Sequence, residues 1–197
     1  MATVKEIQKE KTINQILYLA LNEFIGKGFH GASTREIAKA AGISSGLMFH
    51  YFQSKDCLYG SLIAIGCEKL HFDIGEAGKN PLAYLREVVK NILQELEGND
   101  FFAKMFILID NAQHTRDIPL QAKELLASHD LIRQLIPIVE KGQALGQFRP
   151  GNPHALVVAF GGAIQGIAQE SVRSPGTPMP DAEWVLDMIR NSEDKPE

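Results

Sequence analysis

The stretch from Ser33 to Lys55 constrains this chain more than any other. It reads Ser-Thr-Arg-Glu-Ile-Ala-Lys-Ala-Ala-Gly-Ile-Ser-Ser-Gly-Leu-Met-Phe-His-Tyr-Phe-Gln-Ser-Lys. Ser33 and Glu36 have the spacing of a reciprocal capping box, in which each side chain bonds the other's orphan backbone N–H. Ile37, Ala38 and Ala41 then form a small inward face. Gly42 ends that helix, because glycine takes the left-handed conformation at no steric cost. Ser44 caps a second short helix, which Met48 and Phe52, at i and i+4, hold to its neighbour. Ser54 offers a third cap with Lys55 just inside it. Two short helices around a glycine turn make a helix-turn-helix, whose second helix enters the DNA major groove with its N-terminal residues first.

Chemistry sorts the residues of this stretch into roles. Phosphates are held by hydroxyls, cations and helix N-termini. Thr34, His50, Tyr51 and Lys55 are the expected phosphate contacts, Lys55 being placed where charge and helix dipole act together. Base edges fall to Ser45, Gly46 and Leu47, at the front of the reading helix just after the Ser44 cap. Gly46 permits close approach and Leu47 offers an apolar contact to a thymine methyl. Arg35 reaches either a guanine edge or a phosphate. His50 alone would be a surface histidine, and Phe49 and Phe52 are expected in the core.

The same stretch resembles the DNA-binding motif of the TetR family of bacterial transcription repressors. Thr34, Ile37, Ala38, Ala41, Gly42, Ile43, Ser44, Gly46, Tyr51, Phe52 and Lys55 carry the resemblance, which extends upstream through Ala20, Phe24, Gly28 and Phe29. It covers residues 12–62. Met48 stands where the family usually has Leu, and Phe49 where it usually has Tyr. The resemblance places position 49 among the DNA contacts and implies that one phosphate hydrogen bond per subunit is missing there or supplied by water. It also implies an all-α fold: a helix-turn-helix domain at residues 1–53, then a larger helical domain at 54–197 that dimerises and binds an inducer. The implied protein is a homodimeric repressor that binds a near-palindromic double-stranded operator and leaves it on binding a small molecule.

Charge agrees with that division. Residues 1–56 carry Lys5, Lys9, Lys11, Lys27, Arg35, Lys39 and Lys55 against Glu6, Glu10, Glu23, Glu36 and Asp56, a small positive surplus within a chain of net charge −4. An acidic body beside a basic head disfavours stray DNA contacts. Residues 5–26 show one apolar face in Ile13, Ile16, Leu17, Ala20, Leu21 and Phe24, with Gly26 and Gly28 ending the helix and Phe29 folding back on the core. The lysines before that face read as a solvated tail.

Beyond residue 54 the pattern is helical throughout. Helices are expected at about 54–72, 82–96, 101–111, 118–142, 153–173 and 181–190, with Pro137 kinking or dividing the fourth of these. The last should show one face made of Trp184, Val185, Met188 and Ile189. Ala155, Ala159, Gly162 and Gly166 form a stripe of small residues that lets another helix approach closely, and a two-fold partner suits paired DNA half-sites. Tyr84, Phe101, Phe102, Met105, Phe106, Ile109 and Trp184 are candidates to line an apolar ligand site. His71, His114 and Gln165, with Asn111 and Arg116, are its polar candidates.

Other classes find less support. H-E-x-x-H, C-x-x-C pairs, G-x-S-x-G and phosphate-binding glycine loops do not occur in the sequence, so neither an enzyme, a cofactor nor a metal site is expected. Cys57 and Cys67 lie ten residues apart in one expected helix, too far for a bridge, and read as reduced packing residues. The N-terminus shows no signal-peptide core. The apolar run Ala155–Ala168 is short and glycine-rich for a membrane span, and the cytoplasm is the expected location. Two alternatives remain: a helical small-molecule binding protein with a vestigial helix-turn-helix, and a metal- or redox-sensing regulator using His71 or the cysteines.

Overall fold

The computed structural model describes residues 3–69 and 74–191. Every named element among them is a helix: α1 (Val4–Gly31), α2 (Thr34–Ala40), α3 (Ser45–Tyr51), α4 (Lys55–Lys69), α5 (Ile74–Ala77), α6 (Pro81–Gly98), α7 (Asp100–His114), α8 (Leu120–Ser128), α9 (Leu131–Ala144), α10 (Pro153–Arg173) and α11 (Ala182–Leu186). The all-α expectation holds. The helices form two compact units, residues 1–69 with 107–128, and residues 70–106 with 129–197. The boundary expected at residues 53/54 falls inside the first unit, and α7 supplies residues to both, dividing between Phe106 and Ile107.

In the first unit α1 packs on α2 and α4, and α4 packs on α8. The apolar face read from the sequence is the one buried: Ile16, Leu17, Ala20, Leu21 and Phe24. Gly28, at φ +69°, breaks the helical path where expected. The first residues of α1 are not a loose tail. Thr3 and Glu6 form a complete capping box, and the hydrogen bonds from the Thr3 backbone and hydroxyl hold the Glu6 carboxyl below the usual carboxylate range. The capping box expected at Ser33 is only half made. Ser33 Oγ accepts from the Glu36 N–H, but the Ser33 N–H donates to Glu23 Oε1 at 3.2 Å. Glu36 turns instead to Lys27, at 2.5 Å. Lys27 also pairs with Glu23 at 2.8 Å, so one lysine links the acid that holds the Ser33 N–H to an acid in the first turn of α2. The Lys27 hydrogen bond depresses the Glu36 pKa.

In the second unit α9 and α10 pack together, α6 packs on α11 and α9, and α11 also meets α10. The long region expected at 118–142 is divided, but not at Pro137, which lies inside α9. The break comes at Asp130, whose side chain accepts from the Arg133 N–H and starts a new helix. The helix starts at this cap and carries the proline in its interior. After α9 the chain turns sharply: the Gly142 carbonyl accepts from the N–H groups of Gln147 and Phe148. The Phe148 ring lies where a Cβ on Gly142 would be, 2.1 Å away, so only glycine fits. Phe148 pairs with Arg190 in an isolated antiparallel bridge. Arg190, 4% exposed, is held by Glu183, which also accepts from Arg86 Nε at 2.6 Å. The C-terminal segment is thus fastened to α6 and to the turn after α9.

The face expected on the last helix is corrected. Ala182, Val185, Leu186 and Ile189 are buried, whereas Trp184 is 71% exposed. Asp181 caps α11 as read, but the helix is only five residues long, and the turns that follow carry Met188 to the surface. Helix α10 is also longer than the apolar run that marked it. Its 21 residues are long and apolar enough to cross a membrane by length and composition alone. Val157, Phe160, Ile164 and Ala168 nonetheless pack into the unit's core.

Candidate nucleic-acid interface

Helix α3 presents one face to solvent and buries the other. The Ser44 side chain accepts from the Leu47 N–H at 3.1 Å and fixes the first turn. Met48 is fully buried and Phe52 is 7% exposed. Burying a side chain of the Met48 type contributes about 1.5–3 kcal/mol, so the underside is clamped. Gly42, at φ +68°, makes the turn between α2 and α3, and the Ile43 N–H closes it on the Ala38 carbonyl at 3.0 Å. The outward face carries Ser45, Gly46, Leu47, Phe49 and His50, all exposed. Side chains of this kind at the front of a rigid, capped helix can touch base edges in a major groove without disturbing the core.

Phe49 departs from the expectation of a core residue: it is 43% exposed. It lines an open groove of about 450 Å³ with Ala32, Ser33, Thr34, Arg35, Gln53, Ser54 and Lys55. The groove brings Thr34 and Arg35 at the start of α2 together with the start of α4, where the Ser54 hydroxyl accepts from the Cys57 N–H. Tyr51 is half-buried, with its ring 5.6 Å from that of His50. Gln53 lines the groove without having been singled out in the sequence; its signal was its place beside the Ser54 cap.

Lys55 is the residue whose placement differs most from expectation. Its ammonium does not stand free at the start of α4. It donates to the carbonyls of His30 and Ala32, both at 3.3 Å, and lies 4.7 Å from the centre of the Phe29 ring.

The other predicted residues are dispersed. Phe102, Met105, Phe106 and Ile109 are buried along α7, and the Phe102 and Phe106 rings meet edge to face at 5.4 Å. Tyr84 and Phe101 are half-buried. Gln165 Nε2 donates to the Phe106 carbonyl at 3.4 Å, which brings α10 to that cluster. His114 is exposed and bonded to the Asp110 carbonyl on its own helix, and Trp184 is in solvent; neither joins the buried aromatic cluster. Both were placed by helical spacing, which does not say which way a helix end faces. His71 lies outside the described residues. Within the second unit a cleft of about 480 Å³ opens between the end of α6, the start of α7 and the segment after α10, lined by residues that include Leu96, Ala103, Ser171 and Met179. Ala155, Ala159, Gly162 and Gly166 all lie on the exposed side of α10, beside Val158, which is 49% exposed. A Cβ on Gly162 or Gly166 would meet nothing within 4 Å. Cys57 and Cys67 are free thiols, and burial pushes the Cys67 thiol up in pKa. Among the described residues no three His, Cys, Asp or Glu side chains gather to hold a metal.

A capped reading helix, its glycine turn and a groove at two helix starts define a helix-turn-helix DNA-binding protein of the transcriptional-regulator class. Residues 16–62 match the family model of bacterial regulatory proteins, tetR family. Over 171 residues the chain is 27% identical to the HTH-type transcriptional repressor KstR2 of Mycolicibacterium smegmatis, covering 84% of this chain and 81% of the relative. A crystal structure of a HlyIIR mutant protein superposes with a TM-score of 0.68 at 18% identity, over 95% of this chain and all of that one. AibR in complex with isovaleryl coenzyme A and operator DNA superposes with a TM-score of 0.64 at 17% identity, over 89% of this chain and 94% of that one. At these identities the two structures speak for the fold: an N-terminal helix-turn-helix followed by a helical C-terminal part.

Proposed function

We propose that this protein is a dimeric, sequence-specific repressor, acting in the cytoplasm, that leaves its operator when a small, mainly apolar molecule binds the second part of the chain. The observation that carries the DNA-reading part is the contrast across α3, with Met48 and Phe52 locked beneath an exposed Ser45-Gly46-Leu47 edge. Ser45, Gly46 and Leu47 read base edges. Thr34, Arg35, Tyr51 and His50 contact the backbone around the groove, and Phe49 gives the groove an apolar wall where the family usually has a phenol. A vestigial helix-turn-helix would have no need of a preserved cap, turn and outward face.

The dimer is assigned to the open side of α10. Its small residues are exposed, a Cβ on Gly162 or Gly166 would meet nothing within 4 Å among the described residues, and an apolar helix face left uncovered favours a packed partner. A two-fold pair presents two reading helices to two half-sites. Ligand response is supported by the buried aromatic set on α7 and by the AibR structure, which holds both an acyl coenzyme A and operator DNA.

The test is selection of duplexes from a randomised library, followed by binding at several salt concentrations. The selected duplex should bind at least about 10³-fold more tightly than scrambled duplex at physiological salt. Binding should weaken steeply as salt rises. Equal affinity for both duplexes would reduce the protein to a general DNA binder, and no binding would leave the vestigial alternative.

A further inference from the structure

Lys55 was read from the sequence as a phosphate anchor, and its surroundings point elsewhere. An ammonium has three N–H donors and no acceptor. Two are directed at the carbonyls of His30 and Ala32, which belong to the last turn of α1 and the residue after it. These carbonyls lie beyond the break at Gly28, where the regular helix ladder has run out and carbonyls need outside donors. Lys55 and Tyr59 stand at i and i+4 on one face of α4. Between them they hold Phe29: the lysine lies 4.7 Å from its ring centre, and the tyrosine ring lies 5.0 Å away, tilted by 65°. Ser33, the next residue after Ala32, caps α2. The end of α1, the start of α2 and the start of α4 are therefore joined through one cation.

We propose, building on the DNA-reading function above, that Lys55 is a positioning residue for base reading. It pins the elbow between α1 and α2 onto α4, and so fixes how Thr34, Arg35 and the α3 edge are presented. It acts through the His30 and Ala32 carbonyls rather than by carrying charge to a phosphate. The two roles leave different traces. A phosphate contact contributes alike to every duplex and releases counterions. A positioning contact acts only where the geometry of the bases matters.

The experiment compares wild type, Lys55→Met and Lys55→Arg on the duplex that the wild type selects and on a scrambled duplex, across roughly 50–200 mM salt. Methionine keeps an unbranched stem but has no donors, whereas arginine restores donors. Lys55→Met should lose about tenfold in affinity for the selected duplex, the scale of one charge-assisted hydrogen bond. Its affinity for scrambled duplex and its salt slope should match wild type, and Lys55→Arg should recover most of the loss. A salt slope reduced by about one, with both duplexes weakened equally, would overturn the proposal in favour of a phosphate anchor. So would a lowered melting temperature with the ratio of the two affinities unchanged, which marks a purely structural role. A wild-type protein that selects no duplex would overturn the DNA-reading assignment, and this one with it.

Discussion

Tyr59 shows at the scale of one residue how the DNA-reading unit is held. It is 3% exposed, edge-on to Phe24 at 4.9 Å and to Phe29 at 5.0 Å. Burial pushes its phenol up to about 12, because a phenolate in that site would lose its hydration. A folded-state pKa above the unfolded value of about 10 means that the neutral form is the one the fold stabilises. That contribution is fully present below pH 10 and is lost as pH rises from about 10 to about 12, and two pKa units correspond to about 2–3 kcal/mol. Urea unfolding at about pH 9 and pH 12 should show this loss in wild type, and Tyr59→Phe should remove that part of it. An equal loss in the variant would place the alkaline sensitivity elsewhere. Residue-level roles of this kind were only partly legible in the sequence. Spacing identified Ser44 as a cap and Met48 as an anchor, since both follow from local periodicity. It could not show that Glu36 would leave its capping partner for Lys27, nor that Lys55 would turn back to α1. Both depend on which side chains tertiary packing brings near.

Elements were more legible than their orientations. Beyond α5 every helix except the pair α8 and α9, which were read as one region, was anticipated to within about four residues, because apolar periodicity and caps are local signals. Periodicity alone does not say which of two apolar faces turns inward. That is why Trp184 was assigned to a lining and stands in solvent. The break after α8 was sought at Pro137, because proline deletes a helix hydrogen bond, and it falls at Asp130. Helix α10 carries two apolar faces. Val157, Phe160, Ile164 and Ala168 fill the core, and Ala155, Ala159, Gly162 and Gly166 remain open. Among the described residues, no side chain and no backbone outside its own helix lies within 4 Å of a Cβ at Gly162, so a side chain can start there without a clash inside one chain. A large effect of Gly162→Leu would then point to the proposed second chain. The variant should keep its melting transition at low concentration. Overpacking of the dimer contact, on the order of 1–3 kcal/mol, should shift it toward monomer in sedimentation. Operator affinity should fall together with the dimer. A variant that stays fully dimeric moves the interface away from this face.

At the scale of the whole molecule, the proposed switch requires that a ligand bound to the chain alter DNA binding. The helix-turn-helix unit includes α4, α8 and residues 107–114 of α7, while Phe102, Met105 and Phe106 on the same helix belong to the other unit. One continuous helix therefore carries both the buried aromatic pair and a segment of the DNA-reading unit. A molecule that separates Phe102 from Phe106 acts directly on that helix. In the proposed dimer, two reading helices must match grooves about 34–36 Å apart, so a ligand favouring another spacing would compete with the operator. Linkage fixes the form of the result. If the ligand weakens operator binding 5- to 150-fold, or about 1–3 kcal/mol, the operator must weaken ligand binding by the same factor. A ligand for the folded state also raises the melting temperature in proportion to its occupancy. Apolar acids, acyl esters and other small hydrophobic molecules should be screened for that thermal shift, and each hit titrated against the protein–operator complex. Phe106→Leu keeps an apolar side chain but removes the edge-to-face pair with Phe102. It should change the ligand's affinity and leave unliganded operator binding within about twofold, since such ring pairs contribute only about 0.5–1.5 kcal/mol beyond their burial. A hit that raises the melting temperature yet leaves operator affinity untouched binds both states equally and is no inducer. If every hit behaves that way, the switch is lost and the DNA-reading function stands alone.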